Sequence, residues 1–320
     1  MHFYSFFLHF NKFLPIILHL GSHIRKHTHN ARKTHAYRAF LFFAQGYCNN
    51  RSVIIILSQY KFIGKLNIDY KITGGKNMAK DISCSELIIE VGRKCNLCCE
   101  HCLRGDAENK TIDVALAKKF LKEFDEIDCI TFTGGEPTLY EKEIIQIIDF
   151  ILKKKISVHG FYVASNGLIK APKLMLKLAE LYAYVTENYM ENYSKFELSN
   201  DDFHDDVPEE NKSFFKAFAF YSERPRAGWS DSWIPEGRAI WSGLEASFPV
   251  NYEQSFDIDV FDDGSIFVNM VYLNAEGYVL PDCNYSYESQ REMNPFAYGS
   301  MPLKQILKTY NQTSATESVA

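Results

Sequence analysis

The run Leu87-Ile88-Ile89-Glu90-Val91 leads through Gly92-Arg93-Lys94 into Cys95-Asn96-Leu97-Cys98-Cys99-Glu100-His101-Cys102. A short apolar run closed by a glycine reads as a buried strand. The loop behind it offers three thiols, Cys95, Cys99 and Cys102, at C-x3-C-x2-C spacing. A four-iron cluster is closed by four Cys thiolates, so a set of three leaves one iron open to an exogenous molecule, as an open position separates catalytic from structural zinc. Cys98 is the ambiguous member and reads as a small residue facing the protein. Zinc is the rival, because Cys95/Cys98 and Cys99/Cys102 also parse as two C-x2-C knuckles. Zinc ribbons hold such knuckles about 15–20 residues apart so that two hairpins converge on one ion; here they abut. A disulfide framework fits poorly, since the odd spacing and large expected core point to a reducing compartment.

Three further segments recur after strand-like runs. They are Thr131-Phe132-Thr133-Gly134-Gly135-Glu136-Pro137, Ser165-Asn166-Gly167 and Leu198-Ser199-Asn200-Asp201. With the cysteine loop, and in this order, they resemble the radical S-adenosylmethionine (radical SAM) superfamily: its three-cysteine signature, its GGEP segment, a Thr-Asn-Gly-like turn and a Ser-x-Asp. The likeness covers roughly residues 86–205. It implies a partial, six-stranded (β/α)6 TIM-like barrel, open on one side, with motifs at the C-terminal ends of strands, where such barrels assemble their sites.

Around that block the helix and strand periods alternate. Ile112, Leu116, Phe120, Phe124 and Ile127 predict a helix, Cys129–Phe132 a buried strand, and Ile144, Ile147, Ile148 and Ile151 a helix with one apolar face. Val158–Ala164 reads as a strand, and Pro172 opens a helix expected to run to about Tyr182. Such alternation predicts an α/β chain with parallel strands. Periodicity alone does not separate a barrel from a doubly wound sheet. Toward the C-terminus, Phe256-Asp257-Ile258-Asp259-Val260 alternates, and Asp263-Gly264 and Asn274-Ala275-Glu276-Gly277 signal turns. The expected domains are 78–245, the radical SAM-like core, and 246–320, a small β-hairpin/helix extension. That extension resembles a shortened form of the one on peptide-modifying members. Its cysteine-rich pattern is missing, because Cys283 is the only cysteine after Cys129; an auxiliary cluster is therefore not expected. Cys84 and Cys129 read as buried thiols.

The net charge of −5 hides an asymmetry: residues 1–77 hold eleven Lys/Arg against a single acid, Asp69, and seven of the ten histidines. As a spanning helix Phe3–Leu20 is broken by Asn11, Lys12 and Pro15. No small-residue cleavage site follows it. The basic residues are scattered among Phe, Leu and Ile, so no nucleic-acid arm is read and no membrane partner is expected. Thr73-Gly74-Gly75-Lys76-Asn77-Met78 back-translates readily to a purine-rich ribosome-binding sequence before an ATG. The working chain is expected to begin at Met78, with 1–77 a leader outside the fold.

The resemblance implies the chemistry. Cys95, Cys99 and Cys102 would bind a 4Fe-4S cluster, and S-adenosyl-L-methionine would chelate the open iron. Reductive cleavage would then give methionine and a 5′-deoxyadenosyl radical that removes a substrate hydrogen, while the protein positions the cofactors. Gly134 and Gly135 would let backbone approach the methionine portion, and Glu136 would sit near its ammonium, or else be an exposed acid. Asn166 and Ser199 would meet the carboxylate or ribose, or simply cap turns. Arg93, Lys94 and Arg104 would offset cluster charge or be solvated. The implied electron donor is of flavodoxin or ferredoxin type and the implied location cytoplasmic. The implied substrate is a precursor peptide; a small molecule, a glycyl-radical activation role, and a non-catalytic Fe-S or zinc-binding module are the alternatives. No side chain is assigned to catalysis itself. The acidic group Asp201, Asp202, His204, Asp205 and Asp206 reads as a solvated loop, with a divalent-metal site as its other reading. Pro235-Glu236-Gly237-Arg238-Ala239, among Trp229, Trp233 and Trp241, resembles a family segment after the fifth strand that approaches the cofactor; loop packing is the other reading.

Overall fold

A computed structural model describes residues 82–200, 203–224, 234–241, 255–293 and 297–309. The expected leader, Asp201, Asp202, Trp229 and Trp233 lie outside them. The central strand is β1, Ile82–Gly92. Strands β2 (Glu126–Gly134), β3 (Ser157–Val158), β4 (Phe161–Ser165), β5 (Lys195–Leu198) and β6 (Tyr221–Glu223) follow. The later strands are β7 (Ile258–Val260), β8 (Ile266–Leu273) and β9 (Val279–Leu280). The sheet order is β6-β5-β4-β2-β1-β8-β7, with β3 on β2 and β9 on β8. All pairings are parallel except β7–β8 and β8–β9. The result is a mixed α/β fold whose mostly parallel sheet is not closed among the described residues, with β6 and β7 at its two ends.

The helices are α1 (Val114–Phe120), α2 (Glu141–Lys154), α3 (Pro172–Asn188), α4 (Glu209–Phe215) and α5 (Tyr287–Met293). A last helical run covers 303–309. Helix α2 forms as its spacing dictates. Ile144, Ile147, Ile148 and Ile151 are all fully buried, each stabilising by roughly 1.5–3 kcal/mol, and the basic Lys153 and Lys154 suit its C-terminal dipole. These isoleucines join Leu87, Ile89, Val91, Ile130, Phe132, Phe161, Val163, Phe196 and Leu198 in the main core.

Two expectations need correction. The helix read through Ile127 stops earlier: α1 ends at Phe120, a 3-10 turn spans Leu121–Glu123, and Phe124 is already extended at φ −100°, ψ 140°. Ile127 is buried, but as a residue of β2. The strand read over Val158–Ala164 is interrupted at His159-Gly160, although backbone bonds to β2 continue there from His159 N to Ile127 O and from Ile130 N to Gly160 O. Helix α3 also runs past Tyr182, to Asn188.

The C-terminal hairpin is bound to the central sheet. β8 lies parallel to β1 in the register Ile82↔Ile266 to Ile89↔Leu273, while Asp263-Gly264 makes the β7–β8 turn. Alternation gives this sheet a second, polar face. Cross-strand partners Ile88, Thr131, Tyr162 and Tyr272 share it with Glu86, Glu90 and Glu197. Glu86 accepts from Thr131 Oγ1 at 2.6 Å, and Glu197 accepts from Tyr162 at 2.6 Å. No helix among the described residues is long and apolar enough to cross a membrane.

Candidate metal centre

Because β1, β2, β4 and β5 run in parallel, the segments following them emerge at one edge of the sheet. The cysteine loop follows β1, Gly134-Gly135-Glu136 ends β2, Ser165-Asn166 ends β4, and Ser199 follows β5. The four segments are in contact. Gly135 N donates to Gly92 O at 3.0 Å and Glu136 N to Lys94 O at 2.9 Å. A Cβ on Gly135 would stand 2.2 Å from Lys94 O, and one on Gly134 2.1 Å from Gly92 O. The glycines are therefore required by the loop's own backbone, before any ligand is considered. Asn166 Nδ2 donates to Asn96 Oδ1 at 2.8 Å, inside the cysteine loop, and Ser199 N donates to Ser165 O at 2.8 Å.

Glu136 is not an exposed acid. It is 2% exposed. Its Oε1 accepts from Thr138 N at 3.0 Å, Thr138 Oγ1 at 2.6 Å and Ser165 Oγ at 2.8 Å, and its Oε2 accepts from Asn166 N at 2.9 Å. The carboxylate thus ties the end of β2 to the end of β4. Asn166 is buried, and its Oδ1 accepts from Leu168 N at 3.1 Å as a turn cap. Ser199 is buried beside it.

Cys95, Cys99 and Cys102 are half-buried; Cys98, expected to face the protein, is instead exposed to solvent. Burial pushes the Cys95 thiol up, and the charges of Glu136, Cys102 and Cys99 act in the same direction. A thiolate at this position needs a cation, and metal loading releases its proton. Three half-buried sulfur donors on one loop, with a fourth position left open, fit the donor set of an iron–sulfur cluster.

The basic residues flanking the loop are not solvated, Lys94 excepted. Arg93 is fully buried. Its Nε lies 2.6 Å from Glu90, Nη1 2.9 Å from Glu108 and 3.2 Å from Glu276, and Nη2 2.9 Å from Gln290 Oε1. Glu90, also fully buried, further accepts from the Tyr272 hydroxyl, from Ala275 N at 3.1 Å and from Gln290 Nε2 at 3.3 Å. Arg104 Nη1 donates to Tyr285 O at 2.7 Å. This network joins the cysteine loop to the β8–β9 turn and α5. Its sequence signal was Glu90, an acid inside an apolar strand three residues before Arg93.

The segment 236–238 grips the loop from another side. Arg238 N donates to Cys102 O at 2.9 Å and Arg238 Nε to Cys99 O at 2.9 Å, and a Cβ on Gly237 would stand 2.4 Å from Leu103 O. The segment therefore approaches the cysteine loop itself. Phe203 and His204 pack their rings 5.0 Å and 4.9 Å from His101. Of the acidic group, the described members form no three-ligand cluster. Burial pushes the Cys283 thiol up to about 11, against the pull of Arg104.

At the opposite end of the strands His159 Nε2 lies 2.7 Å from Glu126, and Nδ1 lies 3.5 Å from Asp128. His159 and Asp128 line a cavity of about 620 Å³ with Ser85, Cys129 and Tyr189. Both acids are about half exposed, and both imidazole nitrogens face carboxylates.

No family model matches the chain. An uncharacterized protein of Methanocaldococcus jannaschii is 32% identical over 99 residues, 30% of this chain and 35% of that protein. The match thus spans about a third of the relative's length. Among solved structures, native anSMEcpe with bound AdoMet and Cp18Cys peptide aligns over 44% of this chain and 42% of its own, at 20% identity and TM-score 0.34. SuiB of Streptococcus suis, bound to precursor peptide SuiA, aligns over 80% of this chain and 74% of its own, at 10% identity and TM-score 0.30. Scores this low do not establish a common fold.

Proposed function

We propose that this chain is a radical SAM-type enzyme in which Cys95, Cys99 and Cys102 hold a 4Fe-4S cluster and S-adenosyl-L-methionine docks at the iron left open. The observation that carries the reading is the convergence of the four sequence segments on one edge: Gly134-Gly135 against the backbone of 92–94, Glu136 across to Ser165 and Asn166, and Asn166 onto Asn96. When bound, the cluster supplies an electron at low potential and the sulfonium compound supplies the carbon–sulfur bond that it breaks.

The chain's own residues do the positioning. The glycine pair holds the loop against β2, Asn166 fixes its Asn96 side, and Arg238 fixes the carbonyls of Cys99 and Cys102. Glu136 has both oxygens engaged within the fold, so its first task is to hold β2 and β4 in register at the site. The polar face bearing Glu86, Thr131, Tyr162 and Glu197 is the surface on which a polar substrate is proposed to lie. A peptide is the favoured substrate class, with a flavodoxin or ferredoxin as electron donor, in the cytoplasm. The domain division at 245/246, with a leader ending at residue 77, is part of the same proposal.

Anaerobic reconstitution with iron and sulfide tests the reading. The expected product is a brown chain with close to four irons, which releases 5′-deoxyadenosine from S-adenosyl-L-methionine once reduced. Replacing Cys95, Cys99 or Cys102 by Ser should abolish both, whereas Cys98→Ser should retain them. A colourless chain holding one zinc, with thiols of Cys98 and the other three all required, would overturn it.

A further inference from the structure

Glu126, Asp128 and His159 meet at the end of the sheet away from the cysteine loop. Glu126 and Asp128 stand two apart on β2, so alternation puts both on the side away from Ile127, which is buried in the main core. The register Glu126↔Ser157 and Ile127↔Val158 brings the next residue, His159, alongside them. The imidazole is held in place. Its ring centroid lies 4.1 Å from that of Tyr189, whose hydroxyl donates to Ser157 Oγ at 2.9 Å.

The bonding of this group is incomplete. His159 Nε2 lies 2.7 Å from Glu126 Oε1, yet the ring does not direct an N–H at that oxygen: Nε2 is buried and makes no hydrogen bond among the described residues. A buried ring nitrogen in that state calls for a partner. Among the described residues neither carboxylate pairs with a lysine or an arginine, and both are turned on this one imidazole. A shared proton needs nitrogen, hydrogen and oxygen close to a line. A metal ion does not, because it sits to the side of the line and bonds both atoms at an angle. One donor atom from each of the three residues lies within 4.8 Å of the other two. Two ligands on opposite sides of an ion with bonds of about 2.1 Å stand about 4.2 Å apart, so small side-chain rotations bring all three onto one ion.

We infer that His159, Glu126 and Asp128 bind a divalent cation that ties β2 to the β3–β4 junction. Asp128 and His159 also line the cavity of about 620 Å³, from which water completes the ion's shell. One imidazole and two carboxylates, without sulfur, suit a hard or borderline ion such as Mn²⁺, Fe²⁺ or Zn²⁺. The inference is independent of the cluster reading above.

Mn²⁺ is the probe, because carboxylates and imidazole take it while the thiols of the cysteine loop favour softer ions. Full-length wild type should withdraw one Mn²⁺ per chain from the free-ion EPR signal and show nitrogen modulation in pulsed EPR. Its melting temperature should rise with Mn²⁺ concentration. Glu126→Gln and Asp128→Asn should each weaken binding about tenfold or more, and His159→Gln should abolish the nitrogen modulation. Both acids are about half exposed, so the two carboxylate variants should melt near wild type when metal-free. Wild type that takes up no Mn²⁺ at millimolar concentration, uptake without nitrogen modulation, or uptake equal in all three variants would each overturn the inference. No uptake, together with carboxylate variants that melt lower when metal-free, would make His159 an imidazolium paired with both acids instead.

Discussion

Removal of the Glu136 carboxylate is the most informative perturbation of the site, because its effect on the metal-free fold can be worked out. Four donors converge on it: Thr138 N, Thr138 Oγ1, Ser165 Oγ and Asn166 N. A buried donor left unpaired costs about 1–3 kcal/mol, but Thr138 Oγ1 and Ser165 Oγ can rotate to other acceptors, so the two backbone N–H groups dominate. With the small cavity added, Glu136→Ala should cost about 4 kcal/mol. Glu136→Gln keeps three bonds to Oε1 but sets an amide NH2 against Asn166 N, losing one bond and opposing two donors, at a cost of about 2 kcal/mol. At about 2 °C per kcal/mol for a chain of this size, the melting temperature should fall by roughly 8 °C and 4 °C. Differential scanning calorimetry of metal-free protein reads both values, and iron content after reconstitution reads the site. Loss of S-adenosyl-L-methionine cleavage in Glu136→Ala with an unmoved melting temperature would refute the structural role and make the carboxylate a ligand contact alone.

Gly135→Ala should fold less stably, by about 3 kcal/mol or more, and load little iron, since its Cβ would stand 2.2 Å from Lys94 O; chemical denaturation and iron analysis check this. Arg93→Met should cost about 3–5 kcal/mol in urea unfolding, because it strands the buried Glu90 charge. Burial would raise the Glu197 carboxyl, but bonds from Lys195 and Tyr162 and the charges of Lys195 and Arg224 hold it below its ordinary value. The unfolded chain therefore binds the extra proton, so this contribution to stability is present above about pH 4.3 and is lost as pH falls through the depressed folded value. Glu197→Gln should flatten that acid limb in melting temperature against pH; an unchanged limb would count against the pairing.

The segments that converge on the candidate site were legible because each is local. A loop of closely spaced cysteines, a Gly-Gly pair and an Asn-Gly turn each depend on a few adjacent residues, and parallel pairing brings them to one edge. Helix α2 was equally plain, its four isoleucines facing one core. What escaped was non-local or ambiguous. Ile127 continued a helical spacing yet belongs to β2, where either period would bury it. The pairing of β8 with β1 left no trace in either segment, since an apolar strand does not specify which edge it meets. Arg93 and Arg104 read as charges for a cluster or for solvent, and not as buried network members, because their partners Gln290 and Tyr285 lie far along the chain.

The placement of β8 beside β1 has a temporal cost. Arg93 and Gln290, which meet within 2.9 Å, are 197 positions apart, an interval of roughly 10–40 s at ordinary ribosomal elongation rates. During that time β1 presents an unpaired, largely apolar edge, a template for wrong strand addition. The nascent cysteine loop meanwhile lacks the grip of both Arg238 and Tyr287. Iron delivered before release would find the thiols without their frame, so maturation should follow completion of translation, and a nonsense codon near residue 245 should yield inclusion bodies instead of a smaller working protein.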